Sequence, residues 1–279
     1  MSQDRAANGE PAADPWAATI NRFSGYAADY DSCRPGPPCA LVDFLAELSQ
    51  KSPLERVVDL GCGTGLSTRV WADRAADVVG VDPSADMVTQ AKAATKAENV
   101  QYLCRLGHGT GLPDRCADIV TCGMSLHWMD PELTALEVGR ILRPGGVFGT
   151  YWEHWSSPFV EVDQAFGDLE RQAEELHARL GASATLKRWP RRAQEKRLAS
   201  SGLFAFTKEI AFHHVEHRTA DQLTRMVRTL GLFMVLVKLG LSDDTIGLAR
   251  FAVTAGKAFG DQPQPIYHTW GLWYGVARP

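Results

Sequence analysis

Val57-Val58-Asp59-Leu60-Gly61-Cys62-Gly63-Thr64-Gly65 runs from an apolar, β-branched segment into three glycines at every second position. Leu66 to Ala76 then reads as a helix. Glycine lets the backbone turn sharply and lets a ligand approach with no Cβ in the way. Val78 to Val81 reads as the next strand, and Asp82 closes it. A carboxylate there can accept hydrogen bonds from both ribose hydroxyls of an adenosine. The spacing is G-x-G-x-G, whereas the dinucleotide fingerprint is G-x-G-x-x-G, whose extra residue helps place a pyrophosphate. An acid, Asp59, stands just before the loop and suits a cationic ligand better than a pyrophosphate.

Outward from this stretch, strands and helices alternate. Ser84 to Lys96 reads as a helix with Ser84 as N-cap. Val100 to Leu106 and Asp118 to Cys122 read as strands, Pro131 to Leu142 as a helix, Arg143 to Gly146 as a turn and Val147 to Trp152 as a fifth strand. Such alternation with short links implies right-handed crossovers and a parallel sheet covered on both faces. Before it, Trp16 to Gln50 is helical with a break over Arg34-Pro35-Gly36-Pro37-Pro38. After it, Phe159 to Leu180 and Ala220 to Phe259 read as helices. Thr185 to Ser200 is basic and mainly helical, with Pro190 breaking it or starting its main part. Phe204 to His214 and Ile266 to Val276 read as the last strands. The expected architecture is an α/β, Rossmann-like, seven-stranded, mostly parallel sheet with helices on both faces and a helical cap. Its expected divisions are a disordered tail over 1–15, N-terminal helices over 16–52, the core over 53–155, and cap helices with the last two strands over 156–279.

The motifs Asp59 to Gly65, Val81-Asp82-Pro83-Ser84-Ala85-Asp86-Met87, Gly111-Leu112-Pro113, Leu126-His127-Trp128 and Leu142-Arg143-Pro144-Gly145-Gly146 resemble, in order and spacing, those of class I S-adenosylmethionine (SAM)-dependent methyltransferases. Tyr30-Asp31-Ser32-Cys33-Arg34-Pro35-Gly36 resembles the N-terminal motif of the small-molecule UbiE and trans-aconitate methyltransferase group, and the likeness covers about residues 20–155. The resemblance implies SAM as cofactor. It implies that Asp59 and the loop carrying Gly61, Gly63 and Gly65 meet the methionine amino group and the ribose side. Asp82 would hold the ribose hydroxyls, and Pro83 and Met87 would flank the adenine. Tyr30 and Arg34 would contact the methionine carboxylate, and backbone around Cys122 and Gly123 would border the methionine chain. The group usually has Gly-Asp-Ala after the third strand. Here Gly107-His108-Gly109 stands instead, so His108 or backbone at Gly109 would meet the adenine, and a protonated His108 could not accept from it.

Methyl transfer from a sulfonium needs positioning and water exclusion, and a base only where the acceptor loses a proton. His127 follows the fourth strand and His154 the fifth, both at the expected ligand edge, as candidates for base or substrate partner. The alternative for His127 is a structural His-Trp pair. Trp128 and Trp155 are the candidate substrate contacts. The cap's aromatic and aliphatic residues, Phe159, Trp189, Leu232, Phe233, Met234 and Leu236, read mostly as cap core. Any that face the cleft imply an apolar or aromatic acceptor. Lys187, Arg188, Arg191, Arg192, Lys196 and Arg197 read as solvated surface. In His213-His214-Val215-Glu216-His217, strand alternation puts His213 and His217 on one face and His214 and Glu216 on the other. No third ligand is evident, so no metal is expected.

With 29 Lys+Arg against 33 Asp+Glu, the net charge of −4 speaks against a nucleic-acid backbone binder. The longest apolar run, Gly231 to Leu241, falls short of the roughly 20 residues of a membrane span. The N-terminus lacks a signal-peptide layout, and the six cysteines form no C-x-x-C pair. The expected protein is a cytoplasmic methyltransferase acting on oxygen or carbon of a small, largely apolar or aromatic metabolite in natural-product or cofactor biosynthesis. A nucleic-acid or protein methyltransferase, a nicotinamide oxidoreductase and a non-catalytic SAM-binding protein are the alternatives. The first lacks the Asn/Asp-Pro-Pro-aromatic motif of amino-directed enzymes, having Cys122-Gly123-Met124-Ser125 in its place. The N-terminal helix is expected to close over the cofactor of its own chain or of a neighbouring subunit.

Overall fold

The computed structural model describes residues 16–21, 24–181 and 188–279. The expected tail over 1–15 lies outside them, as does Lys187. Seven strands form one sheet: β1 (Leu54–Leu60), β2 (Ala75–Asp82), β3 (Val100–Cys104), β4 (Ala117–Gly123), β5 (Leu142–Ser156), β6 (Phe204–Arg218) and β7 (Gln264–Ala277). Their order is β3-β2-β1-β4-β5-β7-β6. Strands β1 to β5 pair in parallel, and β7 runs antiparallel to both β5 and β6. The order reverses between β1 and β4, which opens a crevice beyond their carboxyl ends.

Alternate residues serve opposite faces. Val58, Leu60, Val79 and Val120 join the core beneath α6 (Pro131–Ile141) and α8 (Arg191–Ser200). Val57, Val78 and Ile119 join the core beneath α3 (Cys39–Leu48). Burial on both faces explains the unbroken apolar runs. At the amino end Asp118 ties β4 to β1. Its carboxylate accepts from the backbone of Glu55 and Arg56, from Lys51 Nζ at 2.6 Å and from Arg143 Nη1 at 2.8 Å. A third core, formed by α7 (Val160–Leu180), α9 (Ala220–Arg228), α10 (Gly231–Lys238), α11 (Asp243–Ile246) and α12 (Leu248–Phe259), makes the cap.

Several sequence expectations change. The helix expected over 66–76 is only α4 (Leu66–Arg69), because Trp71 drops into the core and Ala75 already pairs with Leu54. The expected turn at 143–146 lies inside β5, and the register slips between Ala117 and Ile119 to absorb it. The helical stretch 220–259 divides into four, with Ser242 capping α11 and Gly247, at φ +97°, separating α11 from α12. The basic helix α8 does not belong to the cap. It lies on the sheet beside α6, with Leu198 in that core. Its Arg191 stacks on Trp152, 3.4 Å from the ring centre, and pairs with Glu195 at 2.9 Å. Part of the basic cluster is therefore packed, not solvated. No helix among the described residues is long and apolar enough to cross a membrane.

Candidate active site

The cleft lies where the strand order reverses. Its floor is the glycine turn after β1. Gly61, Gly63 and Gly65 all take positive φ, between +53° and +84°. Gly61 to Thr64 line the cleft. Gly65 does not. It is the N-cap of α4, and a Cβ there would collide with the Tyr102 hydroxyl. Its glycine serves close packing, not ligand approach.

Asp59, expected to meet a ligand, is sealed beneath the turn. Its carboxylate accepts from Ser67 Oγ (2.6 Å), Thr68 Oγ1 (2.7 Å) and Thr121 Oγ1 (2.8 Å). Burial pushes its pKa up, against those three hydroxyl donors. Asp59 therefore acts as a hub that ties α4 and β4 to the end of β1.

Asp82 lines the cleft. One carboxylate oxygen accepts from Gly63 N and the other from Ser84 N, each at 2.9 Å. Each oxygen keeps a further lone pair for a ligand hydroxyl. Burial raises its pKa to about 6, the two backbone N–H groups pull it down, and Asp59 adds to the rise. Ser84 caps α5 (Ala85–Ala94), as its position before the helix predicted. Pro83 and Met87 join Asp82 on this wall.

The roof comes from the N-terminal segment of the same chain. Trp16 and Ile20, with α1 (Ala17–Asn21), and Tyr30 and Arg34, with α2 (Ala27–Cys33), line the cleft. His108 lines it too, its ring 5.4 Å from that of Trp16. Gly109 is exposed and off the wall. At the far end Gly123, Met124, Ser125, Trp128, Tyr151 and Trp270 complete the lining. Cys122 is fully buried under it. Burial pushes the Cys62 and Cys122 thiols well up, which favours the neutral thiol over the thiolate.

His127 is half-buried in a 3-10 turn (Leu126–Trp128), its ring 4.7 Å from that of Trp128. It adjoins the lining without forming part of it. Two groups hold this turn from outside. Gln194 of α8 donates to the Leu126 carbonyl at 2.6 Å, and Trp189 N donates to the His127 carbonyl at 2.9 Å. His154 is exposed on β5 and does not line the cleft. Trp155 is not a cleft residue either. It packs in the cap against Phe166 at 4.7 Å.

Residues 58–150 match the family model of a methyltransferase domain. An uncharacterised methyltransferase of Mycobacterium tuberculosis is 36% identical over 132 residues, covering 47% of this chain and 51% of that protein. A malonyl-[acyl-carrier protein] O-methyltransferase of Herminiimonas arsenicoxydans is 34% identical over 162 residues, covering 55% and 58%. The chain thus spans little more than half the length of these curated relatives. A solved structure of a type II methyltransferase from Anaeromyxobacter dehalogenans matches with a TM-score of 0.61, over 88% of this chain and 97% of that one. At 24% identity that likeness speaks for the fold alone. Residues 58–150 thus carry a methyltransferase domain.

The cleft of this methyltransferase domain fits SAM by its unfilled hydrogen-bonding capacity. Arg34 Nη1, Thr64 Oγ1, the Tyr151 hydroxyl and Trp270 Nε1 are buried, belong to lining residues and have no hydrogen-bond partner. Buried polar groups are normally satisfied, so these four await a polar ligand. A carboxylate, an ammonium and ribose hydroxyls would supply it. Burial holds the Tyr151 phenol well above its ordinary pKa, which keeps it a neutral donor. Tyr151 and Trp270 were not foreseen from sequence. Both sit inside strands with no motif around them; the β4–β5 register sets Tyr151 opposite Gly123, and the β5–β7 pairing brings in Trp270.

Proposed function

We propose that the protein transfers the methyl group of SAM to an oxygen or carbon of a small, largely apolar or aromatic metabolite. The proposed setting is natural-product biosynthesis in the cytoplasm. The observation that carries this reading is the cleft at the sheet's reversal point. There the Asp82 carboxylate and the unpaired donor of Arg34 stand at a wall of Tyr30, Trp128, Tyr151 and Trp270. The relative named for methylating malonyl-[acyl-carrier protein] on oxygen favours oxygen as the acceptor. Bound SAM supplies a methyl group already activated by its sulfonium, so the chain's task is to position the acceptor and exclude water. In this proposal Asp82 and Gly63 hold the ribose side, and Arg34, with Tyr30, holds the methionine carboxylate. Pro83, Met87 and His108 border the adenine. Trp128, Tyr151 and Trp270 shape the acceptor end. His127, beside Trp128, is the proposed base. His154 would serve only if the exposed end of β5 folded inward.

Titration calorimetry with SAM, S-adenosylhomocysteine and NADH tests the reading. Micromolar binding of the first two without NADH is expected, followed by labelled-methyl transfer in a metabolite screen. NADH binding, or failure of both adenosyl ligands to bind the folded protein, overturns it. His127→Ala is expected to keep SAM affinity and lower turnover. Unchanged turnover removes the residue from the reaction.

A further inference from the structure

Behind the cleft wall, β6 and β7 bring His214, Glu216 and His268 together. One donor atom from each lies within 4.8 Å of the others. Strand alternation puts His214 and Glu216 on the inner face of β6, away from the exposed His213 and His217. His268 stands directly opposite His214 in the β6–β7 register. It supplies the third donor that the local sequence lacks.

His268 is 1% exposed. Its Nδ1 lies 2.7 Å from Glu153 Oε1, while its buried Nε2 has no hydrogen-bond partner. A carboxylate at one ring nitrogen fixes the proton there and leaves the other nitrogen's lone pair free, the arrangement in which histidine ligates metals. The nearest acidic atom to that Nε2 is Glu216 Oε2, at 3.7 Å. Arg218 grips this oxygen through Nη2 at 2.6 Å and Nε at 3.0 Å, which leaves Oε1 for another partner. Oε1 lies 3.4 Å from His214 Nε2.

We propose that His214, Glu216 and His268 form a site for one divalent cation of the zinc class, supported from behind by Glu153 and Arg218. Two imidazoles and a carboxylate suit zinc far better than magnesium or calcium, and three protein ligands leave a fourth position for water. The 3.4 Å from His214 Nε2 to Glu216 Oε1 matches the roughly 3.3–3.4 Å edge of a tetrahedron built on bonds of about 2.0–2.1 Å, and the donors, all within 4.8 Å of one another, close on the ion from there. One ring must move. His214 and His268 stack at 4.8 Å with 15° between their planes, and two nearly parallel rings cannot both point at one ion. His268 is locked by Glu153, so the partly exposed His214 ring turns. The site touches the cleft through two neighbours. Trp270 stacks on His214 and lines the cleft, and Glu153 lies 3.8 Å from Arg34 Nη2.

The test uses the untagged 279-residue chain, stripped with a chelator and titrated with Zn²⁺ and, separately, Mg²⁺. Calorimetry gives affinity, and elemental analysis gives metal per chain. One Zn²⁺ per chain and no Mg²⁺ binding are expected. His214→Ala and Glu216→Gln should each weaken Zn²⁺ binding at least tenfold, while His213→Ala, on the outer face, keeps the wild-type affinity. Zn²⁺ should raise the melting temperature of the wild type and not that of His214→Ala. No Zn²⁺ uptake, uptake unchanged by His214→Ala, or uptake lost in His213→Ala overturns the site. If Glu216→Gln fails to fold for want of its pairing with Arg218, His214→Ala alone decides.

Discussion

Asp82 is charged by what it does and discharged by where it sits. Burial raises its pKa to about 6 from an ordinary value of 3.8. Between those values the folded chain binds a proton that the unfolded chain has released. Its contribution to stability is therefore full below about pH 4 and lost as pH rises through about 6. Cofactor binding runs the other way, because ribose hydroxyls donate to the carboxylate form. At pH 5 only about a tenth of the groups would be ionised, so SAM affinity should rise about tenfold from pH 5 to pH 7. Binding near pH 6 should release protons, read from calorimetry in buffers of different ionisation enthalpy. A flat affinity over this range removes Asp82 from the ribose. Asp82→Ala should weaken SAM binding at least tenfold, about 1.4 kcal/mol, through lost charge-assisted hydrogen bonds. Asp82 was legible in sequence because a strand's end fixes its place. The burial of Asp59 was not, since its hydroxyl partners Ser67, Thr68 and Thr121 come from α4 and from β4, far along the chain.

The turn from β1 into α4 separates glycines that share one motif. Gly63, at φ +53°, has nothing within 4 Å of an added Cβ and lines the cleft. Gly65, at φ +84°, has Tyr102 in the way. Gly65→Ala should cost about 2–4 kcal/mol of stability from backbone strain and overpacking together. Gly63→Ala should cost about 1 kcal/mol yet weaken SAM binding, since the new methyl group enters the cleft. Denaturant unfolding and calorimetry on both variants check the contrast, and equal stability losses would refute it. The motif showed that glycines were needed, but not which need came from ligand and which from packing. A similar limit applied to α8. Its amphipathic pattern is weak and its charges numerous, so nothing local said that Gln194 would anchor the His127 turn or that Arg191 would lie on Trp152.

At the scale of the whole molecule, the described residues give the sheet two large cores and a small one around Tyr102 and Val88, and the cap a core of its own, joined to the sheet through β6, β7 and buried Ile266. Strand-helix alternation made β1 to β5 readable, and residues 204–214 and 266–276 also read as strands, where β6 and β7 lie. The cap left no such trace. Its five helices read as two stretches, 159–180 and 220–259, because their breaks and their grouping around Phe233, Phe251 and Leu169 depend on contacts between distant segments. Because β6 and β7 run unbroken from the sheet into the cap's base, cap and core should unfold together. A ligand in the cleft then stabilises all of it. S-adenosylhomocysteine at one hundred times its Kd adds about 2.7 kcal/mol. For a chain of this size that is a rise of about 5–10 °C in melting temperature. Scanning calorimetry should show one transition that moves as a whole. Two transitions, of which only one moves with ligand, would mean that the cap folds on its own account and that the cleft belongs to the core alone.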